Sequence, residues 1–264
     1  MIKIERLNKL ELVQYCKSIG LNTEEKTKKK LLEEIKQYQI QKITQVIEEG
    51  KGYDLLTEKI NTLAKKYAIN LNLKIEARKE EMKADDNSHY LIYKVLGVSL
   101  KEGRLIDEYQ NTGRFLYKYA GSFLEEAASL CLKFKNINGG KKIIPNNQGQ
   151  KPKTFEIDFL DDKNAIEIKW RDATTDGDHI TKEHARVKSI ESQGYIPIRV
   201  MFYYPQREQA IRIQETLKTI YKGLKGQYYG GEDAWQFIKN YTGYDLKEIL
   251  TKIVQENTKE DEAK

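Results

Sequence analysis

Cysteine and histidine are scarce in this chain. Cys16 and Cys131 are the only cysteines in 264 residues, too few for a disulfide scaffold or a thiolate zinc site. His179 and His184 lack the H-E-x-x-H spacing and have no cysteine nearby, so no zinc centre is expected. Long apolar runs are missing as well: no segment approaches the roughly 20 apolar residues needed to cross a bilayer, and a membrane partner is not expected. Met1-Ile2-Lys3-Ile4-Glu5-Arg6 lacks the apolar run and cleavage site of a secretory signal, which sets the expectation of a cytoplasmic location. Absent too are a Walker lysine, a nucleophile elbow and a dinucleotide fingerprint. The glycine-rich stretch Gly226-Gln227-Tyr228-Tyr229-Gly230-Gly231 follows a helical pattern instead of leading from a strand into one, so it reads as a connection.

What is present suits a globular protein. An apolar fraction of 39% can build a core, and the length allows one large domain or a domain with an appendage. A formal charge of +6 permits a polyanionic partner without requiring one. The 17 tyrosines combine stacking surface with a hydroxyl, although most tyrosines are ordinary half-buried residues.

Residues 4 to about 48 carry helical spacing, through Leu7, Leu10 and Val13 and then Leu31, Leu32 and Ile35. Gly20 can stop the first helix and Thr27 can cap the second. The pattern Leu10, Val13, Tyr15, Cys16, Gly20, Leu21, then Lys26 to Lys30 and Leu31-Leu32, is similar to the helix-extended-helix modules that include SAP domains, some of which touch nucleic acid. A plain helical hairpin is the competing reading. An N-terminal helical region over 1–75 and a second domain over 76–264 are expected. In the latter, Phe123, Ala127, Leu130 and Phe134 recur at helical spacing, with Glu125 on another face. Further helices are expected over Ile180 to Gln193 and Glu208 to Tyr221, a strand over Tyr195 to Tyr204, and a disordered charged tail from Asn257. The order helix, hairpin, helix, strand, helix implies an α/β (α+β) protein with a mixed sheet flanked by helices.

The hairpin carries the chemistry. Phe155-Glu156-Ile157-Asp158-Phe159-Leu160 and Ala165-Ile166-Glu167-Ile168-Lys169-Trp170 alternate as strands around a four-residue loop, Asp161 to Asn164. If that loop closes the hairpin, Leu160 faces Ala165 and Asp158 lies opposite Glu167, with Lys169 on the same surface. Phe155, Ile157 and Phe159 then point the other way. Other acid-x-lysine triplets, such as Glu34-x-Lys36 and Glu81-x-Lys83, fall in helical or charged stretches. Two acids and a lysine on one strand pair are suited to holding a divalent cation, and the competing reading is a surface ion-pair cluster.

These residues resemble the PD-(D/E)xK nuclease superfamily, and more narrowly the type II restriction endonucleases. The matching positions are Glu125 in Gly121-Ser122-Phe123-Leu124-Glu125, then Asp158, Glu167 and Lys169; Ile157 stands where the motif name expects proline. Tyr109 to Tyr119 and Lys169 to Thr181 look similar to the ApaLI-like restriction enzymes. The likeness spans roughly residues 85 to 250. It implies a Mg²⁺-dependent endonuclease acting on double-stranded DNA, leaving 5'-phosphates, as a homodimer on a short palindrome (GTGCAC if ApaLI-like). Asp158 and Glu167 would hold Mg²⁺ with the Ile168 carbonyl, Lys169 would orient water, and Glu125 would bind a second ion or an outer-shell water. Arg114, Lys118, Arg171, Asp172, Thr174, His179, Lys182 and Arg186 are the candidate DNA contacts. A repair or junction-resolving nuclease with the same core, or a DNA-binding protein without catalysis, remain the alternatives.

Overall fold

The computed structural model describes residues 4–149, 151–171 and 177–262, with the backbone alone at 177–179 and 259–262. The chain divides into two compact units, 1–59 and 60–264. The division falls inside a helix that also runs through position 75, the end of the expected N-terminal region.

The first unit holds helices α1 (Lys9–Ser18) and α2 (Lys28–Glu48). Asn8 and Glu11 form a reciprocal capping box on α1, and the Thr27 hydroxyl accepts the Lys30 N–H at the start of α2, satisfying donors that a helix leaves open. Gly20, at φ +79°, takes the left-handed conformation that ends α1. Leu12, Cys16, Leu31 and Ile35 make the apolar core between the two helices.

The second unit is built on a five-stranded mixed sheet in the order β1-β2-β3-β4-β5: Gly140–Pro145, Thr154–Asp161, Asn164–Lys169, Ile196–Met201 and Gln227–Gly230. β1, β2 and β3 run antiparallel, and β4 and β5 continue parallel to β3. Before the sheet come α3 (Gly52–Ala84), α4 (Tyr90–Val95) and α5 (Leu100–Lys135). The parallel steps need crossovers, supplied by α6 (Gly177–Ser192) and α7 (Glu208–Gly223). α8 (Glu232–Thr242) and α9 (Leu246–Glu262) complete the chain. The helices flank the sheet in two groups. α5, α8 and α9 pack together and reach β2 to β5, whereas α6 and α7 pack together and reach β1, β4 and β5. This is the mixed sheet with flanking helices expected from the element order. None of the described helices is long and apolar enough to cross a membrane.

Three local expectations are corrected. Gly226 to Gly231 contains the edge strand β5, with Ile198 paired to Gln227. Here Gly226 lets two backbones meet, because a Cβ would fall 2.5 Å from the Pro197 carbonyl oxygen. α5 starts at Leu100 and its second half is buried on several sides, at Leu124, Ala127, Ala128, Cys131, Leu132 and Phe134, since it lies among the sheet, α8 and α9. α9 runs on through Glu262, past the point where a disordered tail was expected.

Candidate active site

The β2–β3 hairpin has the expected register at its turn end. Leu160 pairs with Ala165 and Phe159 with Ile166; one residue further stand Asp158 and Glu167. The turn is tighter than the four-residue loop expected, because the strands run to Asp161 and from Asn164, with Asp162 in the left-handed region at φ 50°. Strict alternation breaks once. On the other side of β2, the stretch Leu160 to Ile157 faces only Gly140 to Lys142 of β1, which is a bulge. Phe155 and Ile157 therefore gather with Ala165, Ile144 and Ile190, and with Leu160 beside them, instead of sharing a face with Phe159.

Past the paired residues of β2 and β3, a side chain takes over: Asp158 Oδ2 accepts the Ile168 N–H at 2.9 Å. The Lys169 ammonium lies 3.7 Å from the same oxygen and is also ion-paired with Glu167 Oε1. Both acids are buried, at 7% and 3% exposure. Burial raises the Asp158 carboxyl above the usual carboxylate range against the pull of Lys169, and Glu125 adds to the rise. Burial raises Glu167 likewise, with Asp158 adding to it against Lys169 and Arg186. For Lys169, burial disfavours the charge, yet Glu167 and Asp158 outweigh it and raise its pKa.

Glu167 also meets Arg186 of α6, which lies 3.6 Å from Glu183 one turn earlier on that helix. Glu183 pairs with Arg199 of β4 at 3.0 Å and accepts the Tyr221 hydroxyl at 2.7 Å. Arg199 is fully buried, and β3–β4 pairing puts it beside Glu167. Burial alone would push Glu183 up; Arg199 and Arg186 instead hold it down at about 2.

On the α5 side, Glu125 is bound by Lys141 of β1 at 2.7 Å, and Lys141 reaches Glu156 at 3.1 Å. Burial works against the Lys141 charge, but these two acids raise its pKa overall. A cleft of about 480 Å³ opens here, lined by Tyr117, Lys118, Ser122 and Glu125 of α5 and by Ile168, Lys169, Trp170 and Arg171. Its volume lies in the range of small-molecule sites.

The structure thus brings Asp158, Glu167, Ile168 and Lys169 together, with Glu125 at the adjoining cleft. Lys118 and Arg171 line that cleft; Arg114 is exposed one turn earlier on α5. Lys182 is exposed on α6, and Arg186 is engaged with Glu167 and Glu183. Asp172, Thr174 and the His179 side chain lie outside the described residues. Four neighbours were not singled out from sequence: Lys141, Glu183, Arg199 and Tyr221. Only Arg199 carries a local signal, a charge inside the apolar strand Ile196 to Met201.

Among the described residues, no three His, Cys, Asp or Glu side chains cluster as a ligand set. An ion at this place would rest on two carboxylates and the main chain, an all-oxygen donor set of the kind Mg²⁺ accepts with several waters retained. The fit is electrostatic as well. Burial raises both acids despite Lys169 and Arg186, and a divalent cation would favour their charged forms.

A family model described as ApaLI-like restriction endonuclease matches residues 22–255. No curated protein and no solved structure matches the chain.

Proposed function

Because the chain belongs to the ApaLI-like restriction endonuclease family, we propose that it cuts both strands of duplex DNA at a short palindrome, with Asp158, Glu167 and Lys169 as the PD-(D/E)xK centre. The observation that carries this reading is the convergence of both buried carboxylates on the Lys169 ammonium. Asp158, Glu167 and the Ile168 carbonyl would hold Mg²⁺. When bound, that ion lowers the pKa of a coordinated water and neutralises charge developing on the phosphate. Lys169, kept protonated by its two acids, orients the attacking water and stabilises negative charge on the phosphoryl oxygens. The Ile168 N–H fixes Asp158, and Arg186 fixes Glu167, so both oxygens are oriented before substrate arrives. Glu125, tied to Lys141, would bind an outer-shell water or a second ion. Cleavage would leave 5'-phosphates, and GTGCAC is the site we propose from the resemblance.

One chain carries one such centre, and two strands require two. We infer a homodimer whose two-fold axis matches that of the palindrome. α4 supports this: Tyr90 and Tyr93 pack on Gly103, whereas Leu91, Ile92, Val95 and Leu96 of the same short helix are exposed, as are Leu105, Ile106 and Tyr109 of α5. Exposed apolar side chains in such number suit an interaction surface. The protein would act on DNA in the cytoplasm.

The experiment is digestion of plasmid DNA with Mg²⁺, or with EDTA, followed by mapping of the ends. Discrete fragments with 5'-phosphates at one sequence, absent in EDTA, are expected. Preference for branched over linear duplex would support a repair or junction nuclease, and intact DNA with a gel shift would support a binding protein.

A further inference from the structure

The basic side chains around the carboxylates and the cleft divide by partner. Lys169, Arg186, Arg199 and Lys141 are each ion-paired with buried or half-buried carboxylates. Lys118 and Arg171 line the cleft beside Lys169, and neither is paired with a carboxylate among the described residues. The acid in the same cleft, Glu125, is already neutralised by Lys141. Among the described residues, the opening therefore holds two positive charges without a carboxylate counterpart.

Arg171 is also held in an unusual way. Its guanidinium lies 5.1 Å from the Tyr117 ring centre, 5.2 Å from that of Tyr203 and 5.6 Å from that of Trp170. Tyr117 and Trp170 are themselves 5.9 Å apart and 35° from parallel. Ring faces attract a guanidinium without using its N–H groups, which project in the guanidinium plane. Its Nε is buried and finds no hydrogen-bond partner among the described residues. The Nε of Arg186 is in the same position, so what sets Arg171 apart is its place at the cleft, where its donors can meet a ligand.

We propose that Arg171 and Lys118 form a second phosphate-binding site, which takes the DNA backbone phosphate next to the scissile one, and that Tyr117, Trp170 and Tyr203 are positioning residues for the guanidinium. Phosphate is the fitting ligand, since a planar fork of donors matches its oxygens and a flexible ammonium adds charge. Arg171 stands two residues beyond Lys169, past the bend at Trp170, and at most roughly 7 Å of backbone separates them. That leaves the reacting phosphate to Lys169 and gives Arg171 its neighbour. The assignment rests on the nuclease reading of the same centre.

The test is equilibrium binding of the full-length protein in Ca²⁺ to a labelled duplex carrying the site mapped by digestion, and to an unrelated duplex, across a series of salt concentrations. A phosphate contact loses affinity about equally for both duplexes and lowers the salt slope by about 1. That is the expected result for Arg171→Ala and, independently, for Lys118→Ala, which changes only an exposed side chain on α5. Tyr117→Leu should weaken both duplexes, and Tyr117→Phe, which keeps the ring, should restore binding. A loss confined to the cognate duplex would make Arg171 a base reader and overturn the assignment, as would unchanged binding and slope. Equal behaviour of Tyr117→Leu and wild type would overturn the positioning role. If the wild type neither cuts nor binds DNA, the nuclease reading itself has failed; if it does both while the variants match it, only the second phosphate site has.

Discussion

Two regions meet at Lys169 and use the same residue types in opposite ways. Toward α6, Glu167, Arg186, Glu183 and Arg199 form a buried set in which each charge faces its opposite. Toward α5, Lys118 and Arg171 stand at an opening without a carboxylate partner among the described residues. The first arrangement fixes a side chain; the second presents positive charge to an opening. A high lysine and arginine content therefore does not mark a binding site by itself. Unbalanced charge beside an opening does.

Glu183→Gln should separate the regions most strongly. It leaves Arg199 and Arg186 without their shared acid inside the fold, and a loss of about 3–5 kcal/mol in urea unfolding is expected. The wild type should show the matching acid limb. Because Glu183 is held at about 2 when folded, its contribution is complete above the ordinary carboxylate pKa near ~4.3 and fades as pH falls from there to about 2. Unfolding curves for the variant that overlay those of the wild type would mean the ion-pair set holds nothing in place.

Asp158→Asn should act in the reverse sense. Burial raises this acid's pKa, so its contribution favours folding below the ordinary carboxylate range and is lost as pH rises through the raised value. At neutral pH its charge opposes folding. Asparagine should therefore raise stability at pH 7 while abolishing cleavage, and the gain should shrink in acid. For the same reason Ca²⁺ or Mg²⁺ affinity of the wild type, measured by calorimetry, should rise with pH just above the ordinary carboxylate range. A less stable Asp158→Asn variant at pH 7 would contradict the assignment of this side chain as a charge held at a cost.

Lys141→Met is expected to do least. The lysine side chain is half exposed, so stability should change by less than about 1 kcal/mol. With a competing cation gone from beside Glu125, divalent-ion affinity should increase. A decrease would show that Lys141 supports the ion site instead of competing with it.

Much of the site could be read from sequence because it is local. A hairpin fixes its own register, so Leu160 opposite Ala165 and Asp158 near Glu167 follow from spacing and turn length alone. Glu125 lies outside that hairpin, on α5, and its place came from family resemblance. The bulge escaped because β1 imposes it from the other side of β2, and β1 itself was hidden by Lys141 and Lys142 in a strand with one well-buried side chain, Ile144. β5 escaped for a similar reason: four residues ending in glycine look like a connection until Pro197 is beside them. Arg186 of α6 reaches Glu167 from 19 residues away and Arg199 of β4 reaches Glu183 from 16, and no periodicity within one element announces such meetings. The aromatic cage on Arg171 draws on α5, the end of β3 and the segment after β4, and only the folded sheet assembles it.

The claim that Asp158, Glu167 and Lys169 make one cleavage centre is tested most directly by Lys169→Ala, with single-turnover cutting in Mg²⁺ and duplex binding in Ca²⁺ measured side by side. Cutting should fall by about 10²-fold or more while binding stays near the wild-type value. A variant that cuts at the wild-type rate would remove Lys169 from the chemistry and, with it, the reason for placing the reaction at this hairpin.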